Sequence, residues 1–204
     1  MKGILFKPDM RKAIVEGRKT VTRRVMQNQP VLMDKVYERD FRKDAGGRKS
    51  RYQVGEVVYI KEPWHYLNIE ENKATPYDFG IEFADGEILW WTDNGNEMNY
   101  PLDEKKRSPM FLKAKFARYF IQIIGVRPER LQEITPEDCI AEGIIPSTER
   151  YLRLSNIEQY MKLWDSINPK HPWDTNPYLW VYTFKKVAKT IIAASVKAHQ
   201  LEKI

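Results

Sequence analysis

Hydrophobic and polar positions along the chain change period several times, and each change marks an element. Three segments carry helical spacing with end signals. The first covers about Asp9–Glu16, after Pro8 and before Gly17, a residue suited to a left-handed cap. The second is TPEDCIAEG, where Thr135 can cap, Pro136 takes the first helical position, Asp138 lies three after the cap and Gly143 stops the helix. The third is SNIEQYMKLWDSIN. Ser155 and Glu158 form a capping-box pattern there, and Ile157, Tyr160, Met161, Trp164 and Ile167 form one apolar stripe that reads as core.

Strand patterns are as numerous. TVTRRV alternates, with Val21, Arg23 and Val25 on one side and Thr20, Thr22 and Arg24 on the other. EVVYIKE follows Gly55, and FGIEF and EILWW flank Asp85-Gly86 as a hairpin. ARYFIQIIGV and YLWVYTFKKV are long and rich in aromatic and β-branched residues. Two stretches lack periodicity, about 26–52 and 93–110, and read as surface insertions. The expected organisation is one domain over 1–187, followed by a helical tail over 188–204. No internal repeat is visible. Helix, strands, two helices and a strand in that order predict an α+β fold with a mainly antiparallel sheet, open or closed into a barrel.

Composition narrows the class. The chain has 204 residues and a formal net charge of +6, which points weakly to an anionic partner such as a nucleic acid. The single cysteine, Cys139, excludes an intrachain disulfide and fits a cytoplasmic setting; it reads as buried and inert. No run approaches the roughly 20 apolar residues of a membrane span, so no membrane association is expected. His65, His171 and His199 are far apart in sequence and form no metal-ligand pair. Phosphate-binding glycine loops and the serine-hydrolase elbow are missing, so neither metal nor cofactor is expected.

The candidate chemistry lies in EGRKTVTRR. Desolvation and neighbouring cations make a buried lysine easier to deprotonate, and Lys19 sits among Arg18, Arg23 and Arg24. A neutral Lys19 could take the proton of Thr22 and turn it into a nucleophile, with the arginines binding phosphate or a developing oxyanion. A regular strand puts residues 19 and 22 on opposite faces; only a turn or bulge near Gly17 brings them together. The same residues also fit an exposed basic strand end.

EGRKTVTRR resembles the signature of the ASCH superfamily, in which glycine, one residue, lysine, four residues and arginine are met by Gly17, Lys19 and Arg24. YQVGEVVYIKEPW is similar to the superfamily's next strand through Gly55, Glu56, Glu62 and Trp64. VRPERLQEITPEDCIAEGI resembles its strand-to-helix segment, and LWDSINPKHPWDTNPYLWVYTFKKV is similar to the ending of larger phage- and prophage-type members. The resemblance implies a PUA-like β-barrel with flanking helices and a cleft that takes RNA or a modified nucleoside. One branch hydrolyses N4-acetylcytidine. Carried over residue by residue, that branch implies Lys19 as base, Thr22 as nucleophile and Glu142 as acid, with Arg24 steadying the site. This branch is about half the length of the chain and lacks both insertions. Arg23 is a further ligand-binding candidate, Trp64 a stacking platform or a core residue, and Glu62 an acceptor for an exocyclic amine. Two other functions remain open: a non-catalytic RNA-binding module, and a phage accessory protein that binds a host factor.

Overall fold

The computed structural model describes residues 1–30, 48–67, 79–91, 105–146 and 155–188. Most of the stretches 26–52 and 93–110, expected to be insertions, and of the expected tail over 188–204 lie outside these residues. The chain divides into two compact units. One holds Met1–Phe6, Val58–Phe120 and Ala188–Ile204, and the other Lys7–Val57 and Ile121–Val187.

In the first unit, β1 (Gly3–Leu5) runs parallel to β3 (Val57–Lys61), with Ile4 opposite Ile60. A separate antiparallel sheet has the order β4-β5-β6, formed by Trp64–Leu67, Phe79–Phe83 and Ile88–Trp91. Asp85-Gly86 sits at the β5–β6 turn, as its sequence predicts. Gly86 supplies the positive φ of 83° there, and its N–H donates to the Phe83 carbonyl at 2.9 Å. Val58, Ile60, Ile81, Phe83 and Phe116 are buried in this unit.

The second unit carries the three helices and the longest strands. Helix α1 (Pro8–Val15) starts on a proline, whose missing N–H costs nothing in a first turn, and ends before Gly17 at φ 79°. Strand β2 (Val21–Val25) pairs antiparallel with β8 (Tyr178–Val187), with Thr22 opposite Tyr182. The order there is β7-β8-β2, with β7 at Phe120–Arg130. Helix α2 (Pro136–Ala141) is capped by Thr135, whose hydroxyl accepts from the Asp138 N–H at 3.1 Å. Helix α3 (Asn156–Ile167) has the expected Ser155–Glu158 capping box. Its stripe is core: Tyr160 and Trp164 pack with Leu131, Ile134, Cys139 and Leu179.

The α+β class is therefore observed. The strands pair as open ladders, and among the described residues no closed barrel forms. The β1–β3 pair makes the arrangement mixed. Parallel neighbours need a long crossover, and the chain between Leu5 and Val57 provides one that contains α1. Both described ends of the 26–52 stretch enter the core. Met26 and Tyr52 are buried, and Gln29 exchanges hydrogen bonds with the Tyr178 backbone at 2.8 and 3.0 Å.

Candidate active site

Lys19 lies before β2, in the turn opened by Gly17. Backbone bonds strap this turn in place: the N–H groups of Arg18 and Lys19 donate to the Ala13 carbonyl at 2.9 and 3.0 Å, and that of Thr20 donates to Ala141 at 2.8 Å. The strap sets the ends of α1 and α2 against the start of β2. It also leaves the Lys19 side chain free of strand alternation, so it folds back along β2. Its Nζ donates to the Val21 carbonyl at 2.8 Å, to the Glu142 carbonyl at 2.8 Å, and to Oε2 of Glu142 in a short contact. The Val21 carbonyl belongs to the peptide that leads into Thr22. A turn is present at Gly17, and the contacts it gives Lys19 are to the Val21 carbonyl and to Glu142.

Glu142 caps the C-terminus of α2. Gly143 follows at φ 99°, and a Cβ there would come within 3.2 Å of Ala13 Cβ and 3.4 Å of Lys19 Cβ. Close approach and a left-handed backbone both demand glycine here. The Lys19 side chain is 0% exposed and that of Glu142 3%. Burial pushes the Lys19 ammonium below its ordinary value, Glu142 opposes that, and Arg24 and Arg23 add to the lowering.

Thr22 is also buried, on β2. Strand alternation turns Thr22 and Arg24 to one side and Arg23 to the other. On the first side, Tyr182 is the cross-strand partner of Thr22, and its ring meets Tyr52 edge-on at 5.3 Å. Arg24 is half-buried. Desolvation lowers its pKa, against the fields of Tyr52 and Glu142.

Arg23 is buried among carboxylates. Its Nη2 reaches Glu129 and Asp138, both at 2.8 Å, and its Nη1 lies 3.4 Å from Oε1 of Glu142. Burial works against the guanidinium, but Glu142 and Glu129 outweigh it and hold Arg23 charged beyond its usual range. Arg127, half-exposed, meets the other oxygen of Glu129 at 2.9 Å. Glu129, Asp138 and Arg127 are absent from the sequence-based set; Asp138 is legible there only as a capping residue. Cys139 is buried beside them, and burial pushes its thiol up to about 11.

Glu62 and Trp64 belong to the first unit and form a different environment. Oε2 of Glu62 is held by Nε of Arg118 at 3.1 Å, and Arg118 also bonds Asp85 at 2.8 Å and, in a short contact, Glu87. Burial opposes the charge on Arg118, but Asp85 and Glu62 outweigh it and keep the guanidinium charged. Trp64 is 5% exposed and packs edge-on against Tyr66 at 4.9 Å, so its ring is enclosed rather than offered as a platform. Trp90 and Trp91 belong to β6, but their side chains lie outside those described. Among the described residues no group of three or more His, Cys, Asp or Glu is arranged to hold a metal, and no helix is long and apolar enough to cross a membrane.

No protein-family model matches the chain, and no curated protein matches it. Among solved structures the chain is similar to protein EF3133 from Enterococcus faecalis V583, described with the family model DUF984, at 11% identity and a TM-score of 0.39. The match covers 87% of this chain and spans 66% of that protein's length.

Proposed function

We propose that the chain is an ASCH-type protein of PUA-like fold that recognises RNA or a modified nucleoside, and that it hydrolyses the amide of N4-acetylcytidine-like substrates. The observation that carries this reading is the buried contact of Lys19 with Glu142, made beside the peptide that enters Thr22.

A buried ion pair has a neutral alternative, in which Lys19 has given its proton to Glu142. Low dielectric narrows the gap between the two forms, since desolvation penalises both charges. The neutral form contains a base and an acid side by side. In it, Lys19 accepts the proton of Thr22 as the threonine oxygen attacks the acetyl carbonyl. Glu142 gives its proton to N4, the C–N bond breaks, and cytidine leaves. Water then attacks the acetyl ester, passing a proton to Glu142, while Lys19 returns one to the threonine oxygen. Acetic acid is released and the pair is restored. Arg24, on the Thr22 side of β2, steadies an anionic group.

The test is incubation of pure protein with N4-acetylcytidine, followed by chromatography for cytidine and acetate. Turnover that disappears in Thr22→Ala supports the reading; its absence in the unaltered protein overturns it. The acceptors around Lys19 Nζ favour a second reading, in which Lys19 is a permanent ammonium pin and the protein is a non-catalytic RNA-binding module. That reading expects RNA affinity that falls steeply with salt and is the same in Thr22→Ala.

A further inference from the structure

Glu129 and Asp138 have no part in the proposed reaction, yet Glu129 is buried with Arg23 and Asp138 is partly buried beside it. The charges form one alternating chain: Lys19, Glu142, Arg23, then Glu129 and Asp138, then Arg127. It runs from a side chain with 0% exposure at Lys19 to one with 48% exposure at Arg127. Each oxygen of Glu142 has its own cation. Oε2 meets Lys19, and Oε1 faces Nη1 of Arg23 at 3.4 Å.

We infer that Arg23 is a positioning residue: it holds one oxygen of Glu142 so that the other meets Lys19, and its charge, shared with Glu129 and Asp138, biases where the bridging proton sits. This rests on the reading of Lys19 and Glu142 as base and acid. A bare guanidinium against Glu142 would lock the carboxylate in its ionised form and leave no acid. Glu129 and Asp138, both 2.8 Å from Nη2, draw that charge away from Glu142. A guanidinium suits this task because it is planar and can face several carboxylates at once; a lysine ammonium is a point charge.

Among the described residues several charged and titratable groups face the pair, Tyr160 and Cys139 included. Lys19 feels Glu142, Arg24 and Arg23, and Arg23 feels Glu142, Glu129 and Tyr160 in addition to its contact with Asp138. Burial pushes the Tyr160 hydroxyl well above its ordinary value, and Glu142 adds to that, so Tyr160 stays neutral through the working range. Arg23 therefore adds to the field at Lys19, after Glu142 and Arg24.

The experiment is a pH titration of the Lys19 side-chain nitrogen by NMR, with lysine-labelled protein and the signal assigned by its loss in Lys19→Met. Arg23→Gln removes a like charge, so the Lys19 midpoint should rise. Glu129→Gln leaves the Arg23 charge less balanced, so the midpoint should fall. Arg23→Lys keeps the charge and should return the midpoint toward that of the unaltered protein. Shifts of opposite sign support the inference. No shift, or two shifts in the same direction, overturns it, because mere loosening of the fold moves both variants alike. If Arg23→Gln does not fold, Glu129→Gln and Asp138→Asn decide: lower midpoints support the inference and unchanged ones refute it. These midpoints are read without substrate. Expected shifts in a protein that leaves N4-acetylcytidine intact would end the hydrolase reading and keep Arg23 as a residue that biases the pair; turnover with unmoved midpoints would do the reverse.

Discussion

Glu142→Gln removes the counter-charge of a lysine with no solvent access and leaves its Nζ facing carbonyl oxygens. Breaking a buried ion pair from one side costs about 3–5 kcal/mol. A second route gives a matching ceiling. An unpaired buried lysine can shed its proton, and doing so at pH 7 from an ordinary value of 10.5 costs about 5 kcal/mol. Lys19→Met should cost less, because Arg23 still faces the remaining carboxylate at 3.4 Å. The double variant, Lys19→Met with Glu142→Gln, removes both charges and should be more stable than the sum of single losses predicts by about 2 kcal/mol or more. Urea unfolding at pH 7 reads these numbers. With a slope of roughly 2–3 kcal/mol/M, Glu142→Gln lowers the midpoint by about 1–2.5 M. The pH dependence has a definite sign. Lys19 already lies below 10.5 in the unaltered protein, and Glu142→Gln removes the charge that opposes this lowering, so between the variant's value and 10.5 its unfolded chain binds more protons and stability rises with pH. The deficit of this variant should shrink as pH rises from its own Lys19 value to the higher, though still lowered, value of the unaltered protein. Single losses under about 1 kcal/mol, as for exposed pairs, or strict additivity in the double variant, would refute the picture of a buried, coupled pair.

Three further outcomes follow from other contacts in the protein. Arg118→Ala removes the guanidinium that faces the buried Glu62 carboxylate and should cost about 3–5 kcal/mol, whereas Asp85→Asn, at a side chain 57% exposed and screened by water, should cost under about 1 kcal/mol in the same denaturation assay. Gly143→Ala forces a left-handed alanine against Ala13 and Lys19, and thermal unfolding should show a loss of roughly 1–2 kcal/mol or more. Cys139, buried and with its thiol pushed up to about 11, should resist a disulfide-exchange reagent at pH 8 until the protein is unfolded.

Helix ends are legible in the chain because they rest on local chemistry. Thr135 with Asp138, and Ser155 with Glu158, satisfy backbone donors within four residues, so no distant contact has to be known. The Asp85-Gly86 turn is legible for the same reason. Sheet order is not, because alternation reports which face is buried but says nothing about the partner strand; the parallel β1–β3 pair has no local signature. The candidate site divides along the same line. Lys19 stands out by its basic neighbours, and the need for a turn at Gly17 follows from strand geometry. The partners of Arg23 do not stand out, since Glu129 is 106 residues away and Glu142 is 119. Only the packing of β2 in one unit with β7 and the end of α2 makes them one cluster. Trp64 reads equally as core or platform in sequence, and burial decides for core.

The central claim is that Thr22 becomes a nucleophile beside the Lys19–Glu142 pair. Brief exposure of the protein to N4-acetylcytidine, acid quenching and peptide mass spectrometry test it most directly. The account predicts an acetyl group on Thr22 that forms as cytidine appears, and none in Thr22→Val. Cytidine released with Thr22 unmodified at every time point, or at an equal rate from Thr22→Val, would contradict it.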